Sequence, residues 1–352
     1  MGDLCDLLGI EHPIVLGPFG GLSSVTLTAA VSNAGGLGSY GLYGYDADRI
    51  HRTAAELRAA TGGPFALNLW LPTGTERDAT PQEFAASLAV LAPYFAELGL
   101  PLPEAPSRYL PTLDEQWEAV LRERPAVVSV VFGVPPEAML AQAHEAGIVV
   151  IGTATTVDEA VTLENGGVDA VVASGFEAAG HRTSFLDAAE ESLVGSFALI
   201  PQVADAVRIP VIAAGGVADS RGVAAAFALG ASGVQVGTAF LRTRQSAAND
   251  AHRAAISASR AHDTVLTRAM SGRPARGAAN RAVREIESAG VIAPFPAQNW
   301  LTGRFRPEAG ARGIGELQSL WLGQAAGLAG FEDADELLAE LVRGVPGAPA
   351  MP

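Results

Sequence analysis

The sequence predicts an α/β fold, a (β/α)₈ TIM barrel, from three observations. Short apolar runs bounded by Gly and Pro recur along the 352 residues. Most of these runs are continuous in Val, Ile, Ala and Leu, as in parallel strands that are covered on both faces. Most of them start about 20 to 25 residues apart, the length of one strand, one helix and two short loops. An open doubly wound sheet stays the alternative.

Eight strands and the helices between them follow from these runs. The intervening segments begin near capping residues and end near Gly, as at Thr156 and Gly166 or at Asp219 and Gly230. The predicted strands are Pro13–Gly17, Gly36–Leu42, Phe65–Leu71, Val127–Gly133, Ile148–Thr153, Ala170–Gly175, Pro210–Gly215 and Gly233–Phe240. The predicted helices include Leu22–Asn33, Asp46–Ala60, Pro136–Ala146, Thr156–Asn165 and Asp219–Leu229.

The domain organisation follows from the spacing. The barrel is expected over residues 1–245, with a Pro-rich insertion at 72–126 after the third strand. Residues 246–352 are expected to form a helical C-terminal extension that packs on the barrel as a lid. Five arginines cluster there, and they either form ion pairs on a solvated face or reach a ligand. They are Arg268, Arg273, Arg276, Arg281 and Arg284.

Composition excludes several classes of partner. The net charge is -15, and all 23 basic residues are Arg. A chain this acidic repels nucleic acid and anionic membrane surfaces. The lone cysteine, Cys5, permits no internal disulfide and no cysteine-based metal cluster. Because the N-terminal residues lack a cationic start and no run is long enough to span a membrane, a cytoplasmic location is expected.

Two adjacent strand ends carry the features of a phosphate site. The seventh strand ends in Gly215 and Gly216, and the eighth run contains Gly237 and Thr238. In such barrels the loops after strands seven and eight commonly bind phosphate through backbone N–H groups. This would suit a chain without Lys. The competing interpretation is that these glycines form tight turns only.

One histidine follows the sixth strand in a loop of small residues. His181 would lie at the barrel mouth, where an imidazole could take a proton from a carbon acid. The competing interpretation is a hydrogen-bonded structural histidine. Glu177 lies four residues before it, a spacing that could bind metal on a helix. No third ligand is apparent and glycines oppose a helix there, so no metal site is predicted.

Two further segments could contact a planar heterocycle. Asn68 is a single amide in the apolar third strand, and it is either a ring partner or a satisfied core amide. Gly17 and Phe19 follow the first strand, where Gly permits close approach and Phe19 could stack on a ring.

Taken together, these segments resemble the FMN-dependent nitronate monooxygenases, formerly called 2-nitropropane dioxygenases. The resemblance covers nearly the whole chain and is weaker over 72–126. The loop with His181 and the Arg-Pro-Ala-Arg segment are its more specific motifs. It is carried by Pro13–Gly20, Ala30–Gly38, Asn68, Gly152–Thr156, Glu177–His181, Ala214–Gly216, Gln235–Thr238, Ser271–Gly277 with Asn280, and Trp321–Gln324.

The resemblance implies an enzyme that binds FMN across the barrel mouth and has His181 as the catalytic base. Its reaction would oxidise an alkyl nitronate, or another carbon acid, with O₂ to a carbonyl compound and nitrite. A homodimer stays open. The implied cofactor residues are Gly17, Phe19, Asn68, Ser174, Ala179, Gly180, Gly215, Gly216, Gln235, Val236, Gly237 and Thr238.

The chain departs from the family pattern at several of these positions. The family usually has Met at Phe19, Gln at Ser174 and Gly at Ala179, and a Lys often found near the phosphate has no counterpart. Two alternatives therefore stay open. One is an NAD(P)H-dependent FMN enzyme similar to barrel-type enoyl-acyl carrier protein reductases. The other is a barrel that binds a phosphorylated metabolite without flavin.

Overall fold

The structure, a computed structural model, describes residues 2–74 and 76–347. Across these residues the chain forms eleven strands. They are β1 (Ile14–Leu16), β2 (Gly38–Gly41), β3 (Phe65–Trp70), β4 (Val127–Val131), β5 (Val149–Ala154), β6 (Ala170–Ser174), β7 (Gly180–His181), β8 (Val211–Ala214), β9 (Gly233–Val236), β10 (Thr264–Thr267) and β11 (Ala275–Ala278).

Eight of these strands form a parallel barrel. Their order is β1-β9-β8-β6-β5-β4-β3-β2. A parallel bridge between Val15 and Leu37 joins the two ends. Its backbone hydrogen bonds run from Leu37 to Ile14 and from Leu16 to Leu37, each at 2.9 Å. The predicted (β/α)₈ barrel is therefore confirmed, and the open sheet is excluded.

The helices surround the barrel and fill the insertion and the extension. They are α1 (Gly2–Leu8), α2 (Val25–Asn33), α3 (Ala47–Ala60), α4 (Pro81–Leu98), α5 (Leu113–Glu123), α6 (Glu137–Glu145), α7 (Val157–Asn165), α8 (Ser196–Ala206), α9 (Ser220–Ala228), α10 (Thr238–Leu241), α11 (Asp250–Ala258), α12 (Arg281–Ala289), α13 (Ala297–Thr302), α14 (Arg306–Ala311) and α15 (Ala334–Val342). Asp46, Thr156 and Asp219 cap α3, α7 and α9 through their side chains, as the sequence predicts.

The eighth barrel strand is shorter than predicted. The prediction extended it to Phe240, but β9 ends at Val236 and the short helix α10 begins at Thr238. Gly237 separates the two with a backbone outside the extended region (φ -109, ψ -79). The chain therefore turns one residue after the strand, which places Gly237 and Thr238 at the barrel mouth.

The insertion and the extension pack against each other. Phe84 and Phe95 of α4 share an apolar cluster with Val283 and Ile286 of α12 and with Phe305. The extension is not purely helical, because β10 and β11 form an antiparallel sheet with β7. This sheet joins the loop after β6 to the extension. The domain boundaries at 72, 126 and 245 stay predictions.

The described residues include no helix long and apolar enough to cross a membrane.

Candidate active site

A cavity of about 370 Å³ opens at the C-terminal ends of the barrel strands. His181 and all the predicted cofactor residues except Val236 line it. Val236 is fully buried, and its carbonyl accepts a hydrogen bond from the Gly17 N–H at 2.9 Å. The residues that line the cavity are Gly17, Phe19, Asn68, Ser174, Ala179, Gly180, Gly215, Gly216, Gln235, Gly237 and Thr238. Their roles toward a cofactor stay predictions.

The glycine turns after β8 and β9 present backbone donors to this cavity. Gly215 and Gly216 have φ values of +92° and +78°, which L side chains rarely adopt. Within the described residues, the N–H groups of Gly216, Val217 and Gly237 have no protein acceptor. All three residues line the cavity. Unpaired N–H groups on a turn of this kind form a concave site for an anion.

Glu177 braces one of these turns. Its carboxylate accepts hydrogen bonds from the Ser196 N–H at 2.9 Å and from the Ser196 hydroxyl at 2.9 Å, at the start of α8. The same hydroxyl lies 2.9 Å from the carbonyl of Gly215. Glu177 therefore binds the start of α8, whereas His181 contacts a different residue, Ser271. The part of the chain that the structure describes holds no group of three side chains placed to bind a metal.

Asn68 is held so that one side of its amide stays free. Its Nδ2 donates to the carbonyl of Ser129 at 3.2 Å and to the hydroxyl of Ser129 at 3.0 Å. Asn68 is 2% exposed, and it lines the cavity. Its Oδ1 makes no bond to another described residue, so it is an acceptor available to a bound ring.

His181 is fixed by the small sheet of the extension. It pairs with Ala275 in the β7–β11 ladder, and its Nε2 lies 2.9 Å from the hydroxyl of Ser271. Burial, and then the positive charges of Arg273 and Arg306, lower the pKa of His181 to about 3. The imidazole is therefore neutral at physiological pH, and it binds a proton more weakly than a free imidazole does.

The Ser271 hydroxyl decides which ring nitrogen is free. This hydroxyl donates to the carbonyl of Arg273 at 3.0 Å and accepts from the Arg273 N–H at 3.2 Å. The single proton of the Ser271 hydroxyl is donated to Arg273, so toward His181 the hydroxyl oxygen accepts a hydrogen bond from Nε2–H. The ring then carries its proton on Nε2 and a lone pair on Nδ1. Among the described residues Nδ1 has no partner, so it is the basic atom.

Aromatic rings surround the histidine. The ring centroid of Trp70 lies 4.8 Å from that of His181, and the Trp321 centroid lies 5.7 Å from it. Tyr43 packs on Trp70 at 4.5 Å. These three side chains line the cavity. The wall suits a small apolar substrate and limits the access of water to the imidazole.

Buried polar groups anchor the loop that carries His181. The guanidinium of Arg182 donates to the carbonyls of Ser174 at 2.6 Å and of Thr155 at 3.1 Å. The fully buried carboxylate of Glu159 accepts from the N–H groups of Thr155 at 2.6 Å and of Phe185 at 2.5 Å. The residues that follow the histidine are therefore tied to the ends of β5 and β6.

The five clustered arginines do not line the cavity. Arg273 pairs with Glu76 and packs between the rings of Phe132 and Phe295. Arg276 is buried and donates to the carbonyl of Phe176 at 2.9 Å. The other three form ion pairs on the surface, Arg268 with Glu190, Arg281 with Glu97, and Arg284 with Glu316. Ion pairing thus accounts for four of the five, and two other arginines, Arg49 and Arg306, line the cavity.

Comparison with known proteins agrees with this geometry. The nitronate monooxygenase family model matches residues 2–344. A probable nitronate monooxygenase of Staphylococcus haemolyticus is 39% identical over 97% of this chain and 96% of the relative. The nitroalkane oxidase of Streptomyces ansochromogenes superposes with a TM-score of 0.88 at 35% identity, with 96% of each chain covered. FabK from Thermotoga maritima has a TM-score of 0.75 at 31% identity, over 97% of this chain and 94% of that one. The chain therefore belongs to the nitronate monooxygenase family and is an oxidoreductase of the flavoenzyme type.

Proposed function

We propose that the protein is an FMN-dependent nitronate monooxygenase, which oxidises alkyl nitronates with O₂ to a carbonyl compound and nitrite. His181 would be the base that converts a neutral nitroalkane into the nitronate. The observation that carries the proposal is the neutral imidazole in the cavity, with Nε2–H committed to Ser271 and Nδ1 free. Family membership supports the reaction class.

The turns after β8 and β9 fit the phosphate of FMN. Three unpaired N–H groups, of Gly216, Val217 and Gly237, line one region of the cavity. A Cβ at Gly215 would lie 3.1 Å from the Ala178 nitrogen, so a side chain there would crowd the turn. Backbone donors of this kind would replace the missing Lys. When bound, FMN supplies the electron transfer from nitronate to O₂.

The protein's own residues would handle the proton. A nitroalkane bound against Trp70 and Trp321 would lose its α-proton to Nδ1 of His181. Ser271 would hold the ring in the required tautomer, because Nε2–H donates to its hydroxyl. The anchored loop fixes the base in place, so that the proton transfer occurs within the bound complex.

The visible spectrum of the purified protein and a nitrite assay test the proposal. We expect flavin absorbance, FMN in the supernatant of denatured protein, and anaerobic bleaching by a small alkyl nitronate. Bleaching by NADPH instead would favour the reductase alternative. A colourless protein whose supernatant lacks flavin would favour the flavin-free barrel, and either result would overturn the proposal.

His181→Asn tests the base. Loss of a general base costs about 10² to 10⁴-fold in rate. We therefore expect kcat/KM for a neutral nitroalkane to fall by that order, while flavin retention and oxidation of a preformed nitronate persist. His262→Asn, at a histidine 74% exposed on the surface, is the matched control. Loss of flavin together with activity, or loss of neither, would show that His181 is not the base.

The homodimer and the cytoplasmic location stay predictions.

A further inference from the structure

Arg306 is a cation in the cavity without an acidic partner. Its Nη2 donates to the carbonyl of Asn299 at 3.2 Å and to Asn299 Oδ1 at 2.9 Å, and its Nη1 donates to the hydroxyl of Ser319. Its Nε is buried and has no hydrogen-bond partner. Within residues 2–74 and 76–347 no carboxylate forms an ion pair with it, yet the side chain lines the cavity.

This arrangement is costly for the protein alone. Burial lowers the pKa of Arg306 to about 10, so the group is still charged at neutral pH. A partly buried charge that meets only neutral oxygens loses part of the stabilisation it had in water. Arg273 differs, since its charge is paired with Glu76. The other arginine of the cavity, Arg49, is exposed. Arg306 is thus positioned to be neutralised by a ligand.

Asn299 fixes the orientation of the Arg306 guanidinium. Its Oδ1 accepts from Arg306, while its Nδ2 donates to the hydroxyl of Tyr43 at 2.9 Å. Tyr43 lines the cavity beside Trp70. The positive charge of Arg306 also contributes to the lowered pKa of His181. Arg306, the aromatic side chains and His181 therefore line the same cavity.

We propose that Arg306, oriented by Asn299, is the anion-binding residue of the substrate pocket and holds the nitronate group. The inference rests on the proposed function. During proton abstraction the α C–H bond breaks and the proton moves to His181 Nδ1. The electron pair forms the C=N bond, and one negative charge spreads over the two nitro oxygens. Arg306 stabilises that charge, and it favours the anionic form of a substrate that arrives already ionised.

Nitrate, a planar anion that is not turned over, is the probe. Its affinity for the flavin-loaded protein is measured by calorimetry and by the change in flavin absorbance. Arg306→Gln should weaken nitrate binding at least about 30-fold, which corresponds to about 2 kcal/mol. Arg306→Lys keeps the charge and should lose less. KM for a preformed nitronate should rise in Arg306→Gln, with KM for the neutral nitroalkane nearly unchanged.

Two further variants make the test specific. Asn299→Asp keeps the shape of the side chain but places a carboxylate on Arg306, so it should weaken nitrate binding without removing the arginine. Arg304→Gln removes the same charge two residues away at an exposed position, and it should leave nitrate binding unchanged. If Arg306→Gln fails to fold, Asn299→Asp and Arg306→Lys carry the test.

Several outcomes would overturn the inference. The first is that the wild type does not bind nitrate. The second is that nitrate affinity is unchanged in both Arg306→Gln and Asn299→Asp. The third is that Arg304→Gln weakens nitrate binding as much as Arg306→Gln does. Loss of flavin from Arg306→Gln would assign the arginine to the cofactor instead. Arg306-dependent nitrate binding in a protein that does not oxidise nitronates would support the anion site and refute the proposed function.

Discussion

Replacing His181 should change how the stability of the protein depends on pH. In the folded protein burial, followed by Arg273 and Arg306, lowers the pKa of His181 to about 3, whereas an unfolded chain has a value of about 6.5. Between these values the unfolded chain binds a proton that the folded protein excludes. The free energy of unfolding therefore falls as the pH falls from 6.5 toward 3.

The size of the effect follows from the pKa difference. Each pH unit below 6.5 costs about 1.4 kcal/mol. Between pH 7 and pH 5 the wild type should therefore lose about 2 kcal/mol more than His181→Gln. Glutamine is chosen because its amide can still donate to the Ser271 hydroxyl, so the substitution removes the titration and keeps the contact.

Chemical denaturation of the flavin-free protein at both pH values measures this difference, with circular dichroism as the readout. His262→Asn, at the exposed histidine, should follow the wild type. Parallel pH dependence of the wild type and His181→Gln would refute the assignment of a neutral, partly buried imidazole. It would also remove the basis for His181 as a base that is unprotonated at every pH above about 4.

Two further substitutions test the cofactor turn and the tautomer. Gly237→Val keeps the backbone N–H but places a side chain where the phosphate would approach it, so flavin affinity should fall at least about tenfold, as for one weakened hydrogen bond to a charged group. Its new Cβ would meet only Phe19 at 3.6 Å, so the fold should persist. Equal flavin content in Gly237→Val and in Gly62→Val, where a Cβ meets nothing within 4 Å, would contradict the placement of the phosphate. Ser271→Ala should lower kcat/KM for neutral nitroalkanes at least about tenfold with nitronate oxidation unchanged, because His181 loses the acceptor that fixes its tautomer. An equal loss on both substrates would instead indicate a structural role.

The barrel could be predicted from the sequence because its signals are local. Continuous apolar runs and their Gly and Pro boundaries lie within a few residues of each other, as in β4 and β8. The end of the eighth strand could not be predicted, since Thr238–Leu241 is as apolar as a strand and only the backbone angle at Gly237 breaks it. The strands β7, β10 and β11 have two to four residues each, which is too short for a hydrophobic periodicity that would predict them.

Some residues of the site could likewise be predicted from local sequence signals, and others could not. The glycine turns and His181 follow strand ends, so the rule that barrel active sites lie at the C-terminal ends of the strands was sufficient to locate them. Ser271 lies 90 residues after the histidine it contacts. Arg306 belongs to an extension whose packing no local pattern records. Only the tertiary contacts place Ser271 against His181 and Arg306 at the cavity.

These contacts would let an acidic chain without Lys bind the anions proposed for the cavity. A net charge of -15 repels an anion at long range, but salt screens exposed charges beyond about 10 Å at 0.1 M ionic strength. Affinity must then come from short contacts in a region that excludes water. The unpaired N–H groups at Gly216 and Gly237 and the guanidinium of Arg306 are contacts of this type. Because each is fixed by the backbone or by Asn299, selectivity for one anion over another depends on geometry rather than on the total charge of the protein.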